Sequence, residues 1–490
     1  MVQTPSSLGL KPQTWRDGQR ETIEHLLATK ACVTIIDAPT GSGKSIIALG
    51  TALASAEKSF IITNTKSLQR QYMDEVGDLA RSITGKNNYR CVLRDYSRSE
   101  AEEWGAEDGP SVDKAPCAGG YKCGFVDRCP YFVDRAIALK HNISVHNYSY
   151  LLRDPAFTGA GYVFADEGHL LGDALSEVAS IDIRGVMIDK PHLVNSWVSW
   201  AREKIEEELL LGKPDHGRLL SSWYRMMSDL RRLATIDTEL KWVVDYDSRG
   251  AKIRPVWPPS FDTLLRRGKK VVIMSGTILD HDVFSRTLGI GDHDYIKLSW
   301  TFPGESRPVF YRPAAEVTQR NKAAAIPSLA EVVDHIIDQR PGEKGVVHCR
   351  SFDLGTSVAR LMRNGSRLLV HERGMNRTDL IRRFKEERRG VWLISPSVAH
   401  GEDFAYDIAR CQVILKMPFP DYGDSVVRIR AKQRPEWYYY AAAQELVQMI
   451  GRVTRAADDY GETWICDSKF DVFATKYQKF IPQEIWDAVS

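Results

Sequence analysis

Short apolar runs alternate with amphipathic stretches along most of the chain. Val33-Thr34-Ile35-Ile36-Asp37 reads as a buried strand, the glycines after it as a turn, Ser45 to Ala56 as a helix, and Phe60-Ile61-Ile62-Thr63 as the next strand. Strand, turn and helix in that rotation predict a parallel sheet. The rotation stops between about 86 and 139, where a stretch rich in Cys, Gly and charge has no clear period. It resumes at Ile143-Ser144-Val145 and at Tyr162-Val163-Phe164-Ala165. The gap predicts an inserted domain.

A second change of period comes from about 185 to 255. Leu193 to Leu211 and Leu219 to Leu233 carry helical spacing with Trp and charge interleaved, which predicts a helical insertion. Val271-Val272-Ile273-Met274 returns to a buried strand, and Thr301 to Ala325, with Pro303, Pro308 and Pro313, reads as the crossing into a second unit. There the alternation repeats, with strands at Gly345 to His348, Leu368 to Val370, Val391 to Ile394 and Cys411 to Leu415. Helices are expected at Phe352 to Met362 and Asp379 to Glu387. The fold class expected is α/β, with two doubly wound domains in tandem. Residues 1–85, 140–184 and 255–300 form the first, 86–139 and 185–254 are its insertions, and 301–490 form the second.

Length agrees with this division, because domains usually split beyond ~250–300 residues, and the chain has 490. With 43% apolar and 27% charged residues it is ordinary for a globular protein, and no apolar run reaches the ~18 residues that would span a bilayer. The opening Met1 to Ser7 lacks a basic segment followed by an apolar one, so a cytoplasmic protein without a membrane partner is expected. The net charge of +2 decides nothing about nucleic acid, since one groove can be basic on a nearly neutral molecule. Of the eight cysteines, Cys91, Cys117, Cys123 and Cys129 cluster within the first insertion and read as a metal site. Cys32, Cys349, Cys411 and Cys466 lie along strand-like runs and read as small buried hydrophobes.

Two motifs carry the chemistry. Ala38-Pro39-Thr40-Gly41-Ser42-Gly43-Lys44-Ser45 has Ala38 where a strict P-loop has glycine, yet Gly41 and Gly43 still let backbone N–H groups turn toward phosphate oxygens. Lys44 is placed to reach the β and γ phosphates of ATP, and Ser45 a Mg²⁺ ion. A chance glycine turn is the bland alternative, weakened by the strand before it and the helix after it. Asp166-Glu167 follows a neighbouring strand; Asp166 suits the metal through water, and Glu167 suits activation of the attacking water. Alone, such a pair is an ordinary solvated strand end. Near the C-terminus, Gln448-Met449-Ile450-Gly451-Arg452-Val453-Thr454-Arg455 offers two arginines three apart on an expected helix, able to stabilise charge on a γ-phosphate. A basic helix face is the alternative; the first domain's motifs favour the functional reading.

In this order the motifs resemble those of superfamily 2 helicases of the XPD/DinG type, the iron–sulphur group, and closest to its DinG branch. The resemblance implies two RecA-like P-loop domains, an Fe–S domain and a helical Arch-like domain. Arg16 and Gln19 resemble the adenine-reading element, and Thr63 to Gln69, with Thr65 and Lys66, a motif that contacts single-stranded DNA. Val145-His146-Asn147-Tyr148 resembles the family's Asn-His box with the order changed. Asp166-Glu167-Gly168-His169 resembles the acidic motif, and Ser275-Gly276-Thr277 the one coupling ATP state to DNA grip. Gly401-Glu402-Asp403-Phe404 resembles motif V, and Met417 to Pro420 the segment after it. Gln448 and Asp403 join the expected nucleotide contacts.

The cysteines, separated by twenty-five, five and five residues, fit the family's [4Fe–4S] position better than zinc, whose pairs are usually two to four residues apart. Trp197, Trp200, Trp223 and Trp242 could stack on bases, but packing the insertion's own core is the stronger reading. Arg428, Arg430, Lys432 and Arg434 could track phosphates or be a solvated edge. The function expected is an ATP-dependent DNA helicase, a monomer moving on single-stranded or forked DNA. Single-strand-binding, replication or repair proteins are its candidate partners, and 5′→3′ polarity is implied by the resemblance alone. Rivals are a nucleic-acid-stimulated translocase that displaces proteins with little unwinding, and a metabolic P-loop kinase.

Overall fold

In the computed structural model the described residues are 2–39, 41–92, 111–119, 122–214, 217–299, 304–387, 390–397, 404, 406–454 and 459–490. The strands are β1 (Val33–Asp37), β2 (Ser59–Thr63), β3 (Arg81–Ser82), β4 (Ile143–Asn147), β5 (Ala160–Asp166), β6 (Ile181–Arg184), β7 (Trp242–Asp247) and β8 (Gly250–Pro255). They continue with β9 (Gly268–Ser275), β10 (Asp294–Lys297), β11 (Val309–Ala315), β12 (Gly345–His348), β13 (Leu368–Val370), β14 (Trp392–Ser395), β15 (Cys411–Ile414) and β16 (Glu462–Asp467). Among the described residues no helix is long and apolar enough to cross a membrane.

Strands buried on both faces need near-continuous apolar runs, and β1, β2 and β5 are buried along their whole lengths. They form an all-parallel sheet in the order β10-β1-β9-β5-β2-β4-β3. Register places Asp37 beside Ser275 and Asp166 beside Met274, so the glycine turn, Ser275 and the acidic pair leave one carboxyl edge together. Ligands of open α/β sheets bind at such edges.

A second all-parallel sheet has the order β11-β16-β15-β12-β14-β13. The proline-rich crossing contributes β11, which lies at the sheet's end, where Pro313 removes no inner ladder bond.

The second insertion is not purely helical. Its helices, Val194–Leu211 and Gly217–Ala234, sit with an antiparallel sheet in the order β6-β8-β7. Four-residue β6 alternates buried and exposed positions, a signal too short to read against the helices around it. Trp197 is fully buried, and Trp200, Trp223 and Trp242 pack partly buried around it, so these side chains build the insertion's core. The helix Gly217–Ala234 also lies against the short turn Pro116–Gly119 of the first insertion.

The basic run at 428–434 falls on and just after a helix, Ser425–Gln433, not on an edge. Arg430 is buried between Trp257 and Trp437, 5.4 and 5.2 Å from the two rings, and its Nε donates to Val256 O. Arg434 donates to Arg286 O at 2.8 Å. With Arg254 bridging Asp245 and Asp424, these contacts tie the second insertion's base to the second domain. Cys349, Cys411 and Cys466 are buried as expected, but Cys32 precedes β1 and is exposed.

Candidate nucleotide and nucleic-acid site

The turn after β1 needs its glycines. Gly41 and Gly43 have φ of +85° and +78°, and a Cβ on Gly43 would meet Gln19 Nε2 at 2.3 Å. Gln19 Nε2 donates to Ser42 O at 2.8 Å, Gln19 Oε1 accepts from Arg16 N at 2.9 Å, and the Arg16 guanidinium donates to Gly41 O. Both side chains therefore hold the loop by its carbonyls. Ser42 Oγ is buried without a hydrogen-bond partner among the described residues, and Lys44 Nζ rests on Ala38 O at 3.3 Å. Lys44 and Ser45 open the helix Lys44–Ser55, so its N-terminal partial positive charge adds to the amine. Thr40 lies outside the described residues.

At the tip of β5, Asp166 is buried. Its Oδ1 accepts from Glu167 N at 2.9 Å, its Oδ2 from Tyr72 Oη at 2.9 Å, and its main-chain oxygen from Tyr148 Oη at 2.8 Å. Burial, and then the Glu167 charge, push its carboxyl up to about 6, with Lys44 opposing. A buried carboxylate short of positive charge, on the carboxyl edge that also carries the Ser45 hydroxyl, is a hard oxygen donor set that fits Mg²⁺. Glu167 has φ +55° and ψ +44°, a left-handed backbone that costs a non-glycine residue of order 1–3 kcal/mol. Gly168 next to it tolerates no side chain, since a Cβ would stand 2.3 Å from Ile273 Cγ2.

From this pair a chain of polar contacts crosses into the second domain. His169 Nδ1 lies 3.4 Å from Glu167 Oε2 and 2.8 Å from Ser275 Oγ, which is 3.2 Å from Thr277 Oγ1. Thr277 Oγ1 accepts from Gln448 Nε2 at 3.0 Å, and Gln448 Oε1 accepts from Arg452 at 3.4 Å. Gln444 Nε2 donates to Thr277 O at 2.8 Å, and Tyr440 Oη to Ile278 O at 2.7 Å. Tyr440, Gln444 and Gln448 are four apart on the helix Pro435–Ile450, one polar stripe against the first domain. Sequence reasoning found only Gln448 of the three; the four-residue period was the signal available. The helix ends at Ile450 and Gly451 caps it, so Arg452 follows the helix instead of lying on it as expected. Arg455 and Asp403 lie outside the described residues.

Comparison with known proteins agrees with this layout. A DEAD/DEAH box helicase model matches residues 16–111, and a helicase C-terminal domain model matches 334–487. An ATP-dependent DNA helicase, YoaA, of Haemophilus influenzae is 22% identical, the match covering 89% of this chain and 88% of that protein. A regulator of telomere elongation helicase 1 homolog of Aedes aegypti is 34% identical over 94 residues, 16% of this chain and only 9% of that protein. An XPD helicase structure superposes with a TM-score of 0.67 at 16% identity, covering 96% of this chain and 98% of the other. Xpd4 of S. tokodaii gives 0.60 at 16% identity, covering 97% and 99%. The chain carries a DEAD/DEAH box helicase domain and a helicase C-terminal domain, and its fold is that of XPD helicases.

In this helicase Thr65 caps the helix Lys66–Val76, accepting from Leu68 N at 3.2 Å, and Lys66 Nζ donates to Asn88 Oδ1. The Asn-His box has become scaffold. His146 is fully buried among Phe60, Tyr150 and Phe157, its proton affinity driven down to about 3 by burial, and Asn147 caps the helix Tyr148–Arg153. Cys91 and Cys129 are buried and Cys117 and Cys123 half-buried. Burial pushes the Cys117 thiol up to about 11; Lys86 opposes, and Cys91, Cys123 and Cys129 each add to the push, so Cys117 lies within electrostatic reach of all three. Among the described residues no three ligand-type side chains close on a single ion. Four thiols are the donor type that an iron–sulphur cluster takes.

Proposed function

We propose that the chain is an ATP-driven motor that moves along single-stranded DNA and separates duplex or forked DNA ahead of it. In this reading Thr40, Gly41, Ser42 and Gly43 cradle phosphate through N–H groups, Lys44 reaches the β and γ phosphates, and Ser45 and Asp166 hold Mg²⁺. The ion supplies charge neutralisation on the phosphates. Glu167 orients and deprotonates the attacking water, and Arg452 and Arg455 stabilise the charge developing on the γ-phosphoryl oxygens. Arg16 and Gln19 flank the base end, and Asp403 and Gln448 complete the pocket from the second domain.

The observation that carries this reading is the contact chain from Glu167 through His169, Ser275 and Thr277 to Gln448 and Arg452. A single-domain kinase has no use for a relay that ties its acidic pair to another domain's arginine. Support for the single strand comes from a cavity of about 320 Å³ in the second domain, lined by the rings of Phe419, Tyr438 and Tyr439 and by Lys469, which pairs with Glu316 of the same lining at 3.6 Å. Phe419 stacks on Tyr438 at 5.4 Å, and nearby Lys416 is held below its usual range by burial and then by Arg350. Aromatic faces of this kind suit bases, at ~1–3 kcal/mol per stacked base. Cys91, Cys117, Cys123 and Cys129 hold a [4Fe–4S] cluster in this reading, a structural pin for the first insertion. Polarity 5′→3′ follows the family resemblance.

Steady-state hydrolysis with and without oligo-dT tests the motor. Lys44→Ala and Glu167→Gln each lower stimulated turnover by on the order of 10² or more; full activity in either rejects the assignment. Duplexes tailed at either end then separate an unwinding enzyme from a translocase that displaces proteins without strand separation.

A further inference from the structure

Tyr72 is fully buried, and its hydroxyl donates to Asp166 Oδ2 at 2.9 Å. Oδ1 of the same carboxylate is occupied by the Glu167 N–H, so the two donors together fix the carboxylate plane. Tyr72 does not come from the nucleotide loops. It stands on the helix Lys66–Val76, which begins at Thr65 and Lys66, the residues that resemble the family's single-strand contacts. Seven helical steps lead from the cap Thr65 to Tyr72, about 10 Å at 1.5 Å per residue. The helix buries Gln69, Tyr72 and Val76 against the sheet, so it moves as one rigid piece. A shift at its first turn, where Thr65 caps Leu68 N and Lys66 bonds Asn88, reaches the Asp166 carboxylate through one hydroxyl.

Resting on the motor reading, the geometry points to Tyr72 as the positioning residue through which a bound single strand sets the magnesium-holding carboxylate. Tyr72 is buried, and its hydroxyl meets the site only as a donor to Asp166. It acts through Asp166, and its loss is felt wherever the orientation of that carboxylate matters.

The test is binding of a fluorescent ADP analogue to the full chain in Mg²⁺ and in EDTA, each with and without oligo-dT, for the wild type and Tyr72→Phe. Phenylalanine keeps the ring and removes only the hydroxyl. In the wild type Mg²⁺ tightens binding, and oligo-dT tightens it further in Mg²⁺ alone. In Y72F the Mg²⁺ gain falls about tenfold, the low end for losing a hydrogen bond to a charged group. The oligo-dT increment disappears, and affinity in EDTA stays within about twofold. A purely structural defect would lower binding in EDTA as well. The double variant Y72F/D166N binds as D166N does, because Tyr72 has no route except the carboxylate. If Y72F alone does not fold, comparison of D166N with Y72F/D166N carries the test, with a further loss in the double variant overturning the proposal. A Y72F protein that keeps either the full Mg²⁺ gain or the oligo-dT increment also overturns it. A wild-type chain with no Mg²⁺ gain at all would reject the nucleotide site itself, a failure visible without any variant.

Discussion

Thr277→Val breaks the contact chain at its crossing point while conserving shape. Thr277 is buried, its Oγ1 accepts from Gln448 Nε2 at 3.0 Å, and it lies 3.2 Å from Ser275 Oγ. Valine fills the same space and removes both hydrogen bonds. At ~0.5–1.5 kcal/mol net for each, the loss is about 1–3 kcal/mol. The Gln448 bond crosses between the domains, so its share falls on closure of the cleft, whereas the Ser275 bond lies within the first domain. At ~0.5–1.5 kcal/mol for that one bond the coupling corresponds to ~2–13-fold, so oligo-dT-stimulated kcat is expected to fall at least about twofold. The melting temperature should move by less than about 4 °C.

Stimulated and unstimulated ATPase rates of T277V, Gln448→Ala and the double variant form the assay. Both single changes remove the same Thr277 to Gln448 bond, so the double variant should be less impaired than the product of the two, by about 1 kcal/mol of interaction. The unstimulated rate of T277V should change less than the stimulated one. Additive effects, within ~0.3–0.5 kcal/mol, would mean that the two residues act independently and that the chain carries no coupling. Full stimulation in T277V would refute the relay outright.

The geometry sets three further outcomes. His146 is neutral in the folded state, titrating near 3 instead of the usual 6.5, so the unfolded chain binds the extra proton between those values. Stability is then complete above pH 6.5 and falls as the pH drops, by roughly 2 kcal/mol between pH 7 and 5, and His146→Phe should flatten that slope in urea titrations. Arg430→Ala removes a buried guanidinium held between two tryptophans and should destabilise by about 3 kcal/mol, with Arg430→Lys failing to rescue it and oligo-dT affinity unchanged; a loss of affinity at constant stability would restore the phosphate track. Anaerobically purified protein should carry about four irons and lose them in Cys117→Ser, whereas an iron-free chain with full ATPase and unwinding would remove the cluster and leave the motor.

Much of the frame was legible because parallel sheets demand runs such as Val33 to Asp37 and Val271 to Met274, short and bounded by turn residues. Edge and short elements were not. β3 has two residues and β10 four, too few for a period, and β11 is interrupted by Pro313. The helix Lys322–Asp338 begins inside the stretch read as a crossing and contains Pro327, which further blurs its start. Motif residues were legible where a chemical type is compulsory, as for Gly43 and Gly168, whose neighbours leave no room for a Cβ.

The acidic pair shows why the remainder stayed hidden. Asp166 and Glu167 announce themselves in the sequence, but the groups that shape them come from three other segments: Tyr72, Tyr148 and Ser275. A tyrosine on an amphipathic helix is indistinguishable in sequence from one that merely fills a core, since both need the same spacing and the same burial. Only register separates them, by setting β5 and β9 side by side and bringing the helix Lys66–Val76 over the strand tip. The polar stripe at Tyr440, Gln444 and Gln448 is the opposite case. Three polar groups four apart on one helix each donate to the first domain, and Gln444 also to Tyr440 within the stripe. A periodic polar breach in a buried helix therefore marks a coupling surface from sequence alone, whereas a positioning residue that obeys the hydrophobic pattern emerges only from the assembled sheet.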